Sequence, residues 1–251
     1  MGNPVVFVEI QGRDRDTLVP FYEQLFGWPV DTSRPDGYAI VPPAGRGVGA
    51  GILAWPEGAP ERVLFFVAAD DPQAALDQMT ANGGGVAVPP MVVADGPVVA
   101  IGTDPDGNLV GVVGAGGTPP PGGEAGAPVV HFEVNPVDAD RSVAFYRDVF
   151  GWRISEIPEI SYAIVDTDAG GAGIQGGIAL RSGEGPGTTF YVEVPDPAAA
   201  LRRAEELGGR TVRPVTVVPG AAELALLADP EGHVVGVVAA AVPGREAEGG
   251  G

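Results

Sequence analysis

The hydrophobic and polar positions of this chain follow one pattern that occurs twice. A short run of β-branched and aromatic residues, Val5 to Val8, precedes apolar residues at helical spacing that end at Gly27-Trp28. The same order recurs at Val129 to Trp152, 124 positions later and without a gap. The first run predicts a strand, and the spaced apolar stripe after a capping Asp predicts a helix. An internal repeat sets the architecture, so every later motif is placed relative to it.

A second kind of unit follows each copy of the first. It opens with a near-continuous apolar strand and continues with an Asp-Pro helix start, a Gly-Gly helix end and a turn of the form DPxG before its last strand. These landmarks occur at Asp71-Pro72, Gly83-Gly84 and Asp104–Gly107 and again at Asp196-Pro197, Gly208-Gly209 and Asp229–Gly232. The chain is therefore four units long, two of each kind.

Each unit reads as βαβββ, which predicts an α+β fold. The units span 5–55, 62–114, 128–180 and 187–242, and they form two domains at 1–114 and 128–242. A Gly/Pro-rich stretch at 115–127 predicts a linker, and the tail at 243–251 is expected to be disordered. One unit has too small a sheet to stand alone, so units should pair into curved mixed sheets that enclose two clefts. The pattern leaves open whether units pair within each half or across halves.

The first helix is expected from Asp16, with Pro20 in its first turn.

The amino-acid composition and net charge exclude several kinds of chemistry and argue against several kinds of partner. The 251 residues contain no cysteine, and all 14 basic residues are arginine, which excludes disulfides, thiol nucleophiles and lysine Schiff bases. A net charge of −19 argues against nucleic acid and anionic membranes as partners and permits a cationic ligand, although an acidic surface that maintains solubility explains it as well. Neither a transmembrane run nor a signal-peptide pattern is present, so a cytoplasmic location is expected.

The opening HFEVNPVDADRSVAFYRDVFGW, the Asp-Pro helix starts and the turns DPDG and DPEG together resemble the vicinal oxygen chelate superfamily. That superfamily includes glyoxalase I, extradiol dioxygenases, fosfomycin resistance enzymes and bleomycin resistance proteins. The resemblance covers nearly the whole chain outside the linker and the tail. It implies two glyoxalase/bleomycin-resistance-like domains, each with a cleft.

The resemblance also implies where a divalent metal would be held. Enzymes of the superfamily use His, Gln or Glu side chains from the first and last strands of the units. Carried over by spacing, the eight places in this chain are Phe7, Phe65, His131, Phe190, Gly51, Gly111, Gly177 and Gly236. Only His131 has a metal-binding side chain, whereas a catalytic site normally has three protein ligands. The expectation is therefore no cofactor and no divalent metal. A distorted site of His131, Glu133 and Gln175 is the alternative.

The residues at these places indicate another use for the clefts. Phenylalanine rings replace charged ligands, and the glycines remove side-chain volume opposite them, which together predict a deep pocket for an organic ligand. The alternative is that the rings fill defunct clefts as core. Glu9 and Glu133 repeat at inward positions, and a buried carboxylate requires a partner, either structural or from a ligand. His131 beside Glu133 is expected to titrate near neutral pH and to make one cleft the more polar. His233 is expected at the solvated surface, and Trp55 at the rim of a pocket.

Two functions follow from these expectations. The first is a metal-free binding protein for a hydrophobic or aromatic small molecule, neutral or cationic, of the drug-resistance or natural-product accessory type. Its ligand would contact Phe7, Glu9, Phe65, His131, Glu133, Gln175, Phe190, Gly51, Gly111, Gly177 and Gly236. The alternative is a glyoxalase- or dioxygenase-like enzyme in which His131 and Glu133 are catalytic. The protein would be a two-domain monomer or a homodimer.

Overall fold

The structure is a computed structural model that describes residues 2–54, 62–93, 96–114, 123, 125–167, 170–180, 187–218 and 222–239. Trp55, the predicted tail at 243–251 and most of the predicted linker at 115–127 lie outside the described residues.

Four α-helices occur where the sequence predicts them. They are α1 (Arg15–Phe26), α2 (Pro72–Ala81), α3 (Ala139–Phe150) and α4 (Pro197–Glu206), with a short 3-10 helix at Pro158–Ile160. Each α-helix begins after an Asp whose carboxylate accepts from backbone N–H groups of the first turn, as Asp71 does from Gln73 and Ala74. α1 and α3 end at Gly27 and Gly151, whose φ angles of 66° and 67° favour glycine.

The strands form two separate mixed sheets, one from each half of the chain. The first half contributes β1 (Val5–Gly12), β2 (Ala39–Val41), β3 (Gly49–Ala54), β4 (Arg62–Ala69), β5 (Gly85–Val92), β6 (Val98–Thr103) and β7 (Leu109–Gly114). The second half contributes β8 (Val129–Val134), β9 (Arg153–Ile157), β10 (Tyr162–Asp166), β11 (Gln175–Ala179), β12 (Thr188–Glu193), β13 (Arg210–Val218), β14 (Ala222–Ala228) and β15 (Val234–Ala239).

The order of strands shows how the units combine. The first sheet runs β2-β3-β1-β4-β7-β6-β5 and the second runs β13-β14-β15-β12-β8-β11-β10-β9. In each sheet the first strands of the two units pair antiparallel, β1 with β4 and β8 with β12. Units therefore pair within each half, and neither sheet closes into a barrel. The predicted α+β fold with two domain-like sheets is confirmed.

The first unit departs from the predicted pattern in two places. Only two strands follow α1, and the segment that corresponds to β9 makes an isolated bridge between Asp31 and Ile40. Pro29 occupies the position of Arg153, the first residue of β9, and cannot donate to a ladder. The expectation for Pro20 was also wrong. Because α1 starts at Arg15, Pro20 lies beyond the first turn, and the helix lacks one internal hydrogen bond there.

One hydrophobic core lies between the two sheets. Buried side chains of both halves form a single cluster, and β4 faces β12 at its centre. Phe65 from the first half packs on Phe132 from the second, with ring centroids 4.8 Å apart. Helix α1 contacts α4, and α2 contacts α3, so the helices of one half complete the packing of the other. None of the helices in the described residues is long and apolar enough to cross a membrane.

Buried hydrogen bonds join the halves in a symmetric manner. Tyr22 on α1 donates its hydroxyl to Asp229 in the DPEG turn, at 2.9 Å, and Tyr146 on α3 donates to Asp104 in the DPDG turn, at 3.1 Å. We call these two contacts the tyrosine latches. Trp28 and Trp152 likewise donate indole N–H groups to backbone oxygens that precede the first strand of the opposite half.

His233 belongs to one of these joints and is not at the surface as expected. Its side chain is buried, with Nδ1 2.7 Å from Asp229 and Nε2 2.9 Å from the backbone oxygen of Gln11. Burial lowers the pKa of His233, but the bonds to Asp229 and Gln11 outweigh it, so its pKa is raised. The sequence shows that His233 points away from the cleft, but not that the opposite half covers it.

Candidate functional site

The first strand of each half has one face in the common core and the other face directed away from it. Val8 and Ile10 on β1 are buried in the common core. Because side chains alternate along a strand, Phe7, Glu9 and Gln11 lie on the opposite face. We call the space above this face the first cleft. The repeat places His131 and Glu133 of β8 at the positions of Phe7 and Glu9, in what we call the second cleft.

Two of the expected cleft residues lie in the core. Phe65 and Phe190 are fully buried there, Phe65 against Phe132 and Phe190 against Trp28. Their chain neighbours Phe66 and Tyr191 take the cleft positions. Core positions alternate without interruption along these two strands, Phe65 with Val67 on β4 and Phe190 with Val192 on β12, so the residues between them face the clefts.

The glycines opposite the first strands do not deepen the clefts. A Cβ atom at Gly51 would overlap the hydroxyl of Tyr38, and one at Gly177 would overlap that of Tyr162. The positions Gly111 and Gly236 are covered in the same way by the rings of Phe66 and Tyr191. The predicted empty volume is therefore wrong, because the hydroxyl or ring of an aromatic side chain occupies the space over each glycine.

The second cleft pairs each ionisable group of β8 with a tyrosine. Nε2 of His131 is 3.0 Å from the hydroxyl of Tyr162, and Tyr191 donates its hydroxyl to Oε2 of Glu133 at 3.3 Å. The ring of Tyr191 also meets the imidazole edge-on, with centroids 5.6 Å apart. His131 and Glu133 are both partly buried. Two phenol groups thus fix an imidazole and a carboxylate side by side.

Burial controls the charges of this cleft. It lowers the pKa of His131 to about 4, so the imidazole is neutral at pH 7 and the expected titration near neutral pH is wrong. Burial raises the pKa of Glu133, while the hydroxyl of Tyr191 and the positive charge of Arg213 lower it in part. Arg213 lies exposed on β13. Burial also raises the pKa of both tyrosines, which remain protonated donors.

The first cleft uses the same positions differently. Glu9 is only 5% exposed and accepts hydrogen bonds of 2.5 Å from Gln11 Nε2 and from the hydroxyl of Tyr38. Burial raises the pKa of Glu9, and these two bonds lower it in part. Tyr38 corresponds to Tyr162 in the repeat, but Phe7 offers it no acceptor, so its hydroxyl turns to the carboxylate instead.

Gln175 lies beside His131 in the strand register, yet it does not join the other two members of the distorted metal site. Its side-chain oxygen accepts from the backbone N–H of Thr167, at 2.8 Å, and the residue is exposed. Within the described residues, no group of three His, Cys, Asp or Glu side chains is arranged to hold a metal ion.

Several site residues were missed by reasoning from the sequence. They are Gln11, Tyr38, Phe66, Tyr162, Tyr191 and Arg213. The sequence did contain a signal for Tyr38 and Tyr162, because the runs GYAIV and SYAIV repeat at the spacing of the two halves. No comparable signal identifies Phe66 or Tyr191, since the runs VLFFVAA and TTFYVE do not alternate between polar and apolar residues.

Two family models match the chain. The model described as "Glyoxalase-like domain" matches residues 7–113, and the model described as "Bleomycin resistance protein-like N-terminal" matches residues 129–168. Together the two matches span more than half of the 251 residues and include the first strands of both halves.

Relatives and solved structures agree with these models. The protein named "Putative glyoxylase CFP32" from Mycobacterium bovis is 29% identical over 255 residues, covering 92% of this chain and 93% of its own. The Mn(II)-bound glyoxalase from Novosphingobium aromaticivorans superposes with a TM-score of 0.70 at 16% identity, over 95% of this chain and 82% of its own. The 2,2',3-trihydroxybiphenyl 1,2-dioxygenase from Sphingomonas wittichii gives 0.66 at 16%, over 95% and 91%.

These comparisons correct the expectation about a metal. The expectation of no divalent metal is overturned, because a glyoxalase that shares this fold is bound to Mn(II). The described donors, one imidazole and one carboxylate in the second cleft, do not fit the three-ligand set of a catalytic metal, so we assign no step to one. The two sheets and the two family models agree with the expected resemblance to the vicinal oxygen chelate superfamily.

Proposed function

We propose that this chain is a glyoxalase-like enzyme that moves a proton next to the carbonyl group of a small molecule bound in the second cleft. One observation carries the proposal: His131 and Glu133 share the cleft face of β8, and each is held by a tyrosine hydroxyl. Both groups are partly buried, which strengthens electrostatic interactions with a bound substrate relative to water.

Glu133 is suited to be the base. Its raised pKa makes the carboxylate a stronger proton acceptor than an exposed Glu, and the charge of Arg213 opposes full neutralisation. Among the described residues, one hydrogen bond restrains it, from Tyr191 at 3.3 Å, so acceptor positions on the carboxylate remain for a substrate proton.

His131 and Tyr162 are suited to bind the carbonyl oxygen. The imidazole is neutral, so one proton is shared along the 3.0 Å contact between Nε2 and the hydroxyl. If Tyr162 donates, Nδ1 of His131 carries the remaining N–H; if His131 donates, the hydroxyl of Tyr162 is the remaining donor. In either tautomer, one donor is left for negative charge that develops on a carbonyl oxygen.

The relatives support the reaction class, and the substrate is proposed only as a small carbonyl compound. A protein 29% identical over most of this chain is named a glyoxylase. A binding role without chemistry is the competing function, and the apolar walls of the first cleft favour it for that half. The cytoplasmic location and the lack of a nucleic-acid partner stay predictions from composition.

The test is conversion of a 2-oxoaldehyde. Purified protein is incubated with methylglyoxal in D₂O, with and without a thiol and with and without Mn(II), and proton NMR follows product formation and deuterium incorporation. We expect conversion that falls by about 100-fold or more in Glu133→Gln, the usual range for loss of a general base. Glu156→Gln, the same change at an exposed position of the same sheet, should retain the activity.

Two outcomes would contradict the proposal. One is the absence of conversion across a series of 2-oxoaldehydes in every one of these conditions. The other is equal rates in wild type and Glu133→Gln, with both proteins shown to be folded by circular dichroism.

A further inference from the structure

We propose that the first cleft is a second ligand site, separate from the proposed active site, and that it takes an organic ammonium group attached to an apolar or aromatic body. The polar end of the site is formed by Glu9, Gln11 and Tyr38, and its walls by side chains of five strands. Neither family models nor relatives assign a ligand to these residues.

The polar end has more acceptors than donors. Each oxygen of the Glu9 carboxylate accepts one hydrogen bond, whereas a carboxylate can accept about four. Gln11 is fully buried, and its side-chain oxygen has no partner within the described residues. A buried acceptor without a donor is costly, and native proteins normally satisfy such groups. An ammonium group supplies up to three donors for these acceptors and a positive charge opposite the carboxylate of Glu9.

The walls of the first cleft are apolar. Leu64, Phe66 and Ile101 form a small buried cluster on the side of the sheet away from the common core. Partly buried residues pack against it: Phe7, Val88, Val99, Leu109 and Val113. Phe7 and Phe66 meet edge-on with ring centroids 6.2 Å apart. A ligand with its ammonium group at Glu9 and its apolar body along these rings would contact both the polar end and the apolar walls. Cation–π attraction between the ammonium group and a ring would add to the binding energy.

The second cleft provides the internal comparison. There His131 and Tyr191 replace the rings of Phe7 and Phe66, so polar groups stand where the first cleft has apolar walls. Glu133 also senses the positive charge of Arg213, which disfavours a second cation beside it. The ammonium group is therefore expected to select the first cleft over the second.

The test uses phenylalkylammonium ions with one to four methylene groups as probes, measured by calorimetry. Wild type should bind at least one of them at a single site, about tenfold or more tightly than the uncharged alcohol of equal length. Glu9→Gln should weaken that binding by about tenfold or more, since it removes the charge and keeps the size. Glu133→Gln, the matched change in the second cleft, should leave the binding constant unchanged. Thermal melting establishes that each variant is folded.

Each contrary outcome overturns the inference. No binding of any probe to wild type means that Glu9 is a buried acid that needs no ligand. Equal binding to wild type and folded Glu9→Gln means that the carboxylate makes no contact with the ammonium group. Loss in Glu133→Gln places the probe in the second cleft. These binding measurements do not depend on the conversion of 2-oxoaldehydes. A failure of this inference is therefore distinguishable from a failure of the proposed enzyme activity.

Discussion

A difference of one side chain between the repeats, Phe7 against His131, accounts for most of the contrast between the two clefts. Tyr38 and Tyr162 extend over equivalent glycines, but their hydroxyl groups form hydrogen bonds with different residues of the first strand. The partner of Tyr162 is the imidazole of His131, and the partner of Tyr38 is the carboxylate of Glu9. The carboxylate of Glu133 is thereby left with fewer donors, as a general base requires.

His131 should make the protein less stable in mild acid. Its folded pKa is about 4 against 6.5 for an unperturbed imidazole, so between these values the unfolded chain binds a proton that the folded chain does not. The contribution of His131 is complete above pH 6.5 and is lost as the pH falls toward 4, by at most about 3 kcal/mol. Urea unfolding of wild type and His131→Phe at pH 7 and at pH 4.5 measures the difference.

The variant should gain stability relative to wild type at the lower pH, and His233 is common to both proteins and cancels. A difference that does not change with pH would show that water reaches the imidazole freely.

At the scale of single elements, α1 and α3 form a matched pair in which only α1 carries a proline. Pro20 and Ala144 occupy equivalent, exposed positions. Proline in a helix interior costs about 3 kcal/mol relative to alanine, and part of this is offset because proline also restricts the unfolded chain. Pro20→Ala should therefore raise the free energy of unfolding by about 2 kcal/mol, measured by urea denaturation.

The reverse change, Ala144→Pro in α3, is the control and should lower the free energy of unfolding by a comparable or larger amount. If neither change has an effect, the exposed turn of the helix has no hydrogen bond to lose at this position.

Elements were the most predictable level of this protein, because helix starts and ends have local causes. The four Asp caps, the Gly-Trp helix ends and the DPxG turns are all visible in the sequence and occur as expected. The sequence does not show which of Phe65 and Phe66 enters the core, because both rings are apolar and only strand pairing decides between them. The predicted cleft residues Phe65 and Phe190 were one position away from the residues that face the clefts.

At the scale of the whole molecule, the tyrosine latches join each half to the other through a buried carboxylate. Tyr22→Phe removes the donor to Asp229, and Tyr146→Phe removes the donor to Asp104, with the ring retained in both. Each change should lower the free energy of unfolding by about 1 to 3 kcal/mol, the range for a hydrogen bond to a charged group. The two latches share no partner, so the double variant should show about the sum. A far smaller loss would mean that water replaces the hydroxyl.

The common core predicts that the two halves unfold together. Both sheets bury their inner faces in one cluster, and Trp28 and Trp152 each bond to the backbone of the opposite half. Separation of the halves would expose Phe65, Phe132 and Phe190, which are fully buried in the folded chain. Unfolding in urea should therefore be a single transition, although the chain forms two sheets.

The measurement uses two variants that each retain one of these tryptophans, Trp28→Phe and Trp152→Phe, both in a Trp55→Phe background. In each variant the fluorescence midpoint should coincide with the midpoint from far-ultraviolet circular dichroism. Two resolved steps in the dichroism signal would show that one sheet remains folded after the other is lost, and the common core would then not be the main source of stability.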